Sequence, residues 1–131
     1  MPSQQNETVF LIEDDQKMSS LLSTLLEMEG YRVLALETPT PEAIIDIIDT
    51  HKPMALIMDV HLATYNGIDL LKLIRSEAQQ VSTHVMMTSG EDLHMQCLTA
   101  GADGFLLKPY APTELISWLR TRSQLNNKKE N

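Results

Sequence analysis

Five short apolar runs alternate along the chain with longer stretches in which apolar residues recur every three or four positions. The runs are "TVFLIE", "YRVLALE", "MALIMD", "HVMMT" and "GFLLK", each of strand length. Between them lie "QKMSSLLSTLLEMEG", "TPEAIIDIIDTH", "NGIDLLKLIRSEA" and "EDLHMQCLTAG", and "APTELISWLRTR" follows the last run. All five stretches carry helical periodicity. In the first of them Met18, Leu21, Leu22 and Leu25 fall at helical spacing, and Gly30 is a natural stop. In the second, Thr40 is the expected N-cap with Pro41 at the first helical position. In the third, Leu70, Leu71 and Ile74 share a face, and Gly101 ends the fourth.

Strands that alternate with helices specify βαβ units with right-handed crossovers, and hence an α/β fold around a parallel sheet. Runs one, three and four are apolar throughout, as strands covered by helices on both faces must be. Run two alternates in part and carries Arg32, which places it at an edge.

Length and composition narrow this to one domain. The chain has 131 residues, 43% of them hydrophobic and 21% charged, enough to bury a core. A net charge of −8 argues against direct contact with nucleic acid, which needs clustered Lys and Arg. The single cysteine, Cys97, excludes an intrachain disulfide and reads as a packed or surface thiol. The N-terminus carries no signal-peptide pattern, and no apolar run approaches the roughly 20 residues needed to cross a bilayer. The expected location is therefore the cytoplasm, without membrane contact. Residues 1–7 are expected to be a disordered leader, 8–122 the folded domain and 123–131 a polar tail, its final "NNKKEN" solvated and frayed.

Four of the five runs end in conspicuous polar groups: Glu13-Asp14-Asp15, Asp59, Thr88-Ser89 and Lys108-Pro109. The carboxyl ends of parallel strands lie on one edge of the sheet, where ligands of open α/β folds bind. Run two ends only in Glu37, expected to lie too far out to take part. Alone, an acidic triplet after a strand is an ordinary helix start, and Lys-Pro is an ordinary loop. All of them at the correct strand ends specify a site. Its carboxylates would repel by about 4 kcal/mol per pair at 4 Å and an effective dielectric of 20. A hard divalent cation such as Mg²⁺ removes that penalty and brings phosphate chemistry with it. A lysine and a threonine hydroxyl beside it suit a phosphoryl group transferred to one of the carboxylates.

In these four segments, "LIEDD", "LIMDVHLATYNGIDLLKLIR", "HVMMTSG" and "GADGFLLKPY", the chain resembles the receiver domain of response regulators in two-component signalling. The resemblance covers roughly residues 8 to 122, with the motifs in order and at the family's spacing. It implies a doubly wound five-stranded parallel sheet of flavodoxin-like order 2-1-3-4-5. It implies Asp59 as phosphoacceptor and Mg²⁺ held by Glu13, Asp14, Asp59 and the backbone carbonyl of His61. Thr88 would contact the phosphoryl group, Lys108 would pair with its oxygens, and Phe105 would be the aromatic switch. Asp15 would cap the first helix instead of binding metal. Ala63 stands where the family often has proline, and His61 and Gly90 flank the site at positions that vary.

The implied protein is a signalling switch, not an enzyme beyond its own phosphorylation and dephosphorylation. Its phosphodonor would be a sensor histidine kinase or a histidine phosphotransfer protein. Its output would be a downstream protein bound at the face of the fourth helix, fifth strand and fifth helix, with homodimerisation on phosphorylation also allowed. A receiver excised from a longer DNA-binding regulator is the alternative. Two other classes fit less well. A haloacid-dehalogenase-type aspartyl-phosphate hydrolase needs a second acid where His61 stands, and a flavin module needs a Ser/Thr/Gly-rich first loop where Glu13-Asp14-Asp15 stand. The remaining histidines, His51, His84 and His94, show no metal-ligand spacing and are expected to be structural or surface residues.

Overall fold

The computed structural model describes residues 7–37, 40–78 and 82–130, with the side chains of 124–130 left aside. The strands are β1 (Thr8–Ile12), β2 (Arg32–Leu36), β3 (Ala55–Asp59), β4 (His84–Ser89) and β5 (Gly104–Leu107). The helices are α1 (Gln16–Met28), α2 (Pro41–His51), α3 (Gly67–Glu77), α4 (His94–Thr99) and α5 (Pro112–Glu130). All strand pairs are parallel, in the order β2-β1-β3-β4-β5. The expected doubly wound sheet is the one observed.

Alternation along each strand divides the core in two, because successive side chains point to opposite faces. Phe10, Ile12, Leu56, Met58, Val85 and Met87 pack toward Ile44 and Ile48 of α2, Leu71 of α3 and Cys97 of α4. Val9, Leu11, Ala55, Ile57 and Met86 pack toward Leu22 and Leu26 of α1 and Leu115 and Leu119 of α5. The central strands are thus buried on both sides, whereas β2 is mostly exposed, as an edge strand should be.

Local signals place the helix starts. Asp15 caps α1 by accepting from the N–H groups of Lys17 and Met18, and Thr40 caps α2 by accepting from Ala43 N–H. Gly30 and Gly101 take positive φ at 100° and 112° just beyond α1 and α4.

Three sequence readings need amending. Leu21 is 48% exposed, because the buried row of α1 steps by four through Met18, Leu22 and Leu26. α4 begins only at His94, since Ser89 Oγ and Asp92 Oδ1 accept from Glu91 N and His94 N and hold the preceding residues in turns. α5 continues through Glu130, so the end expected to be frayed from residue 126 is helical backbone as far as residue 130. Its composition contains no Gly or Pro and includes several good helix formers. The expected leader lies outside the described residues up to position 6.

Candidate functional site

The carboxyl ends of β1, β3, β4 and β5 converge as their polar residues predict. Asp59 is the last residue of the wholly buried β3 and lies beside Thr88 in the β3–β4 register. Val60 N–H donates to Thr88 O at 2.8 Å, so the backbone beyond Asp59 is still fastened to β4. Lys108 is fixed in the same way, its N–H donating to Ser89 O at 2.7 Å.

The side chains then meet. Asp59 Oδ2 accepts from Lys108 Nζ at 2.8 Å, and Oδ1 accepts from His61 N–H at 3.1 Å. The same ammonium donates to Glu13 Oε1 at 3.0 Å, and Glu13 Oε2 accepts from Asp15 N–H at 3.1 Å. The carboxyl side chains are almost closed off, 5% exposed at Glu13 and 11% at Asp59. Burial alone pulls the Lys108 ammonium toward deprotonation. The hydrogen bonds and charges of Asp59 and Glu13 outweigh it and lift its pKa above the ordinary lysine value. Nearby, burial pushes the Tyr110 phenol up to about 12; Lys108 opposes this, and the charges of Glu13 and Asp59 add to it.

The three acids after β1 therefore do different work. Glu13 joins Asp59 on Lys108, Asp15 caps α1, and exposed Asp14 accepts a hydrogen bond from Ala63 N–H with Oδ2. A cleft of about 350 Å³ is lined by Glu13, Asp14, Gln16, Glu37 and Ala63. Glu37 was expected to lie beyond reach, yet it lines this cleft and accepts from Gln16 Nε2 at 2.5 Å. The helix start after β1 folds Gln16 back over the end of β2.

The rest of the rim is built from the two loops that follow β3 and β4. His61 Nε2 lies 2.6 Å from Glu91 Oε1, both well exposed. Phe105, half-buried on β5, stacks on the His94 ring at 5.7 Å between centroids and 15° between planes. Sequence reasoning missed Gly67. A Cβ there would lie 2.4 Å from Asp59 O and 2.8 Å from Val60 Cα, so only glycine lets α3 start so close to the backbone that seats Asp59. The Asn66-Gly67 pair was the available signal, and Asn66 Oδ1 does cap α3 at Ile68 N and Asp69 N.

Among the described residues, no three His, Cys, Asp or Glu side chains come together to hold a metal ion. The donor chemistry nevertheless fits Mg²⁺: the acids facing the cleft offer only hard oxygen. Lys108 now engages one oxygen each of Glu13 and Asp59, and Ala63 N–H engages Oδ2 of Asp14.

The family model for the response regulator receiver domain matches residues 9–120. The chain belongs to this family. The receiver is 33% identical over 127 residues to the transcriptional regulatory protein CpxR of Escherichia coli K12, covering 94% of this chain and 53% of that protein. It is 30% identical over 116 residues to the phosphate regulon transcriptional regulatory protein PhoB of Pseudomonas aeruginosa, covering 86% and 50%. The chain thus spans about half the length of the curated relatives it matches. Among solved structures, the receiver domain of the Francisella response regulator 1452 superposes with a TM-score of 0.80 at 25% identity, covering 92% of this chain and 99% of that one. A receiver is a signalling switch of two-component systems, which sets aside the hydrolase and flavin readings. Among the described residues, no helix is long and apolar enough to cross a membrane.

Proposed function

We propose that Asp59 accepts a phosphoryl group from a phosphohistidine on a sensor histidine kinase or histidine phosphotransfer protein. The observation that carries this reading is the seat of Asp59. It ends a fully buried strand, with one oxygen on His61 N–H and the other on the Lys108 ammonium.

In the transfer, a carboxylate oxygen of Asp59 attacks phosphorus. The bond from phosphorus to the donor imidazole nitrogen breaks, its electron pair stays with the imidazole, and an acyl phosphate forms on Asp59. The attacking group is already anionic, so no base is required. Lys108, which stays protonated, is placed to face the phosphoryl oxygens once they stand where it now meets Asp59. Mg²⁺ held by Glu13, Asp14, Asp59 and the His61 carbonyl would neutralise the charge that gathers between acceptor and phosphoryl group. The Thr88 hydroxyl, on the neighbouring strand, would then hydrogen-bond to the new oxygens. Drawing Thr88 inward opens space for Phe105, which must leave its stack on His94 to fill it.

Output through the face of α4, β5 and α5 follows from that movement, and Met95, Leu98 and Leu107 are exposed there. A partner that tells the two states apart gains only its differential contact with them, typically about 1–3 kcal/mol. The net charge of −8 supports a protein partner over direct nucleic acid contact. The transcriptional regulators it resembles support a second arrangement, in which this switch governs a DNA-binding unit.

The test is phosphorylation by acetyl phosphate with Mg²⁺, read by intact-protein mass. Wild type should gain one phosphoryl unit and Asp59→Asn none. Thr88→Ala should still be labelled, but its amide shifts around Phe105 on adding beryllofluoride should be lost. Labelling of Asp59→Asn to the wild-type extent would refute the assignment.

A further inference from the structure

Asp14 is tied down by a backbone group that lies 49 residues further along the chain, the N–H of Ala63. The segment that carries this donor is a closed loop. Val60 O accepts from Gly67 N–H at 2.6 Å, and His61 and Asn66 form an antiparallel bridge inside that closure. Ala63 sits between the bridged residues, so its N–H reaches across to the β1–α1 loop from a fixed base. Asp14 and Ala63 border the same cleft as Glu13.

A carboxylate has two oxygens, and the Ala63 bond occupies only Oδ2. What the bond settles is the direction in which the group faces. As the acids now stand, no three His, Cys, Asp or Glu side chains among the described residues are grouped to hold a metal ion. A cation in the cleft needs Asp14 turned toward Glu13 and Asp59, and the charge-assisted bond to Ala63 must then break or lengthen.

We propose that the Ala63 N–H is a built-in competitor for Asp14, lowering the affinity of the site for a divalent cation and coupling cation entry to release of the loop between Val60 and Gly67. This rests on the reading of the site as one that takes Mg²⁺. Proline alone lacks the donor, so Ala63→Pro removes the competitor while leaving every carboxylate in place. The net worth of one such hydrogen bond to a charged group corresponds to about ten- to a hundredfold in a binding constant.

The experiment titrates MgCl₂ into wild type, Ala63→Pro and Ala63→Gly, followed by calorimetry and by amide spectra. Ala63→Pro should bind Mg²⁺ about ten- to a hundredfold more tightly than wild type, and Ala63→Gly, which keeps the N–H, should match wild type. In wild type, the Ala63 amide should lose its hydrogen-bonded shift and its exchange protection as Mg²⁺ is added. That measurement stands even if the proline variant does not fold. Wild type that binds Mg²⁺ with the Ala63 amide unmoved, or a folded Ala63→Pro that binds no more tightly, would overturn the competitor alone. Wild type that does not bind Mg²⁺ at all would overturn both the competitor and the cation reading beneath it.

Discussion

Replacing Lys108 by methionine keeps an unbranched stem and deletes the ammonium that Glu13 and Asp59 share. Oδ2 of Asp59 and Oε1 of Glu13 lie 2.8 and 3.0 Å from Nζ. Those oxygens are therefore no more than about 6 Å apart, where two unit charges at an effective dielectric of 20 repel by about 3 kcal/mol. Both carboxylates are nearly closed to solvent, so water screens them less than it would a surface pair. Without metal, at pH 7, nothing offsets that repulsion in Lys108→Met, and deleting the shared partner of two buried charges should cost about 3–5 kcal/mol of folding stability, a large part of what a small domain has.

Urea unfolding in EDTA and in excess Mg²⁺ would measure it. The cation should restore the variant more than it stabilises wild type, because it replaces the missing positive charge. A second substitution separates repulsion from general damage. In the Lys108→Met background, Asp59→Asn should be stabilising, because it removes one of two like charges. In wild type the same change removes a partner of the ammonium and should stabilise nothing. If Lys108→Met is as stable as wild type in EDTA, or Asp59→Asn destabilises both backgrounds equally, the shared-cation account is wrong.

Two further outcomes follow from the same neighbourhood. At alkaline pH, Lys108 and Tyr110 both hold their protons longer in the folded chain than in the unfolded one. The stability contributed by Lys108 is complete below its ordinary value of 10.5 and is lost as pH rises through its raised folded value. Tyr110 adds a loss between its ordinary 10.0 and about 12, because the unfolded chain releases that proton first. Unfolding free energy should fall across this range and fall less steeply in Tyr110→Phe; an equally steep fall would refute the tyrosine contribution. Gly67→Ala drives a Cβ into the backbone of Asp59 and Val60 and should cost about 1–3 kcal/mol, with slower labelling of Asp59. A variant that melts with wild type and labels at the wild-type rate would show that α3 can shift without moving Asp59.

Most of the fold was legible because its determinants are local or periodic. The uninterrupted apolar runs at Val9–Ile12, Ala55–Met58 and Val85–Met87 announced strands covered on both faces, and all three are buried. Asp15 and Thr40 were readable as caps because a capping side chain bonds to backbone only two or three residues away. The exposure of Leu21 was not readable because Met18, Leu21, Leu22 and Leu25, four apolar residues within about two turns of α1, leave the centre of the buried row undecided until the sheet is in place. The length of α5 was hidden for a different reason. A polar segment has no apolar periodicity to display, although nothing in it opposes the helix.

At the site, the sequence named the residues that meet but not which of them pair, and the same period-two alternation that divides the core explains the pairing. Val9, Leu11 and then Glu13 share one face of the sheet; so do Ala55, Ile57 and Asp59, and Met86 and Thr88, with Leu106 and Lys108 following on β5. The register pairs Ile12 with Met58 and Asp59 with Thr88, which brings Glu13 level with Asp59. The ammonium of Lys108 meets both of them on that face. Asp14 has the opposite parity, that of Phe10 and Ile12, and besides the cleft it shares with Glu13 it borders a second pocket lined by Leu62, Tyr65 and Leu70. Phe105 shares that parity and meets His94 of α4. Counting residues from the strand interiors would have set Glu13, Asp59, Thr88 and Lys108 apart from Asp14 and Phe105. What counting cannot supply is reach. Glu37 lies at the end of the outermost strand, and only the fold of Gln16 over that end brings it to the cleft. Ala63 acts through its backbone N–H, a group every residue but proline carries, so the only mark it left in the sequence was the absence of the proline that the family often has there.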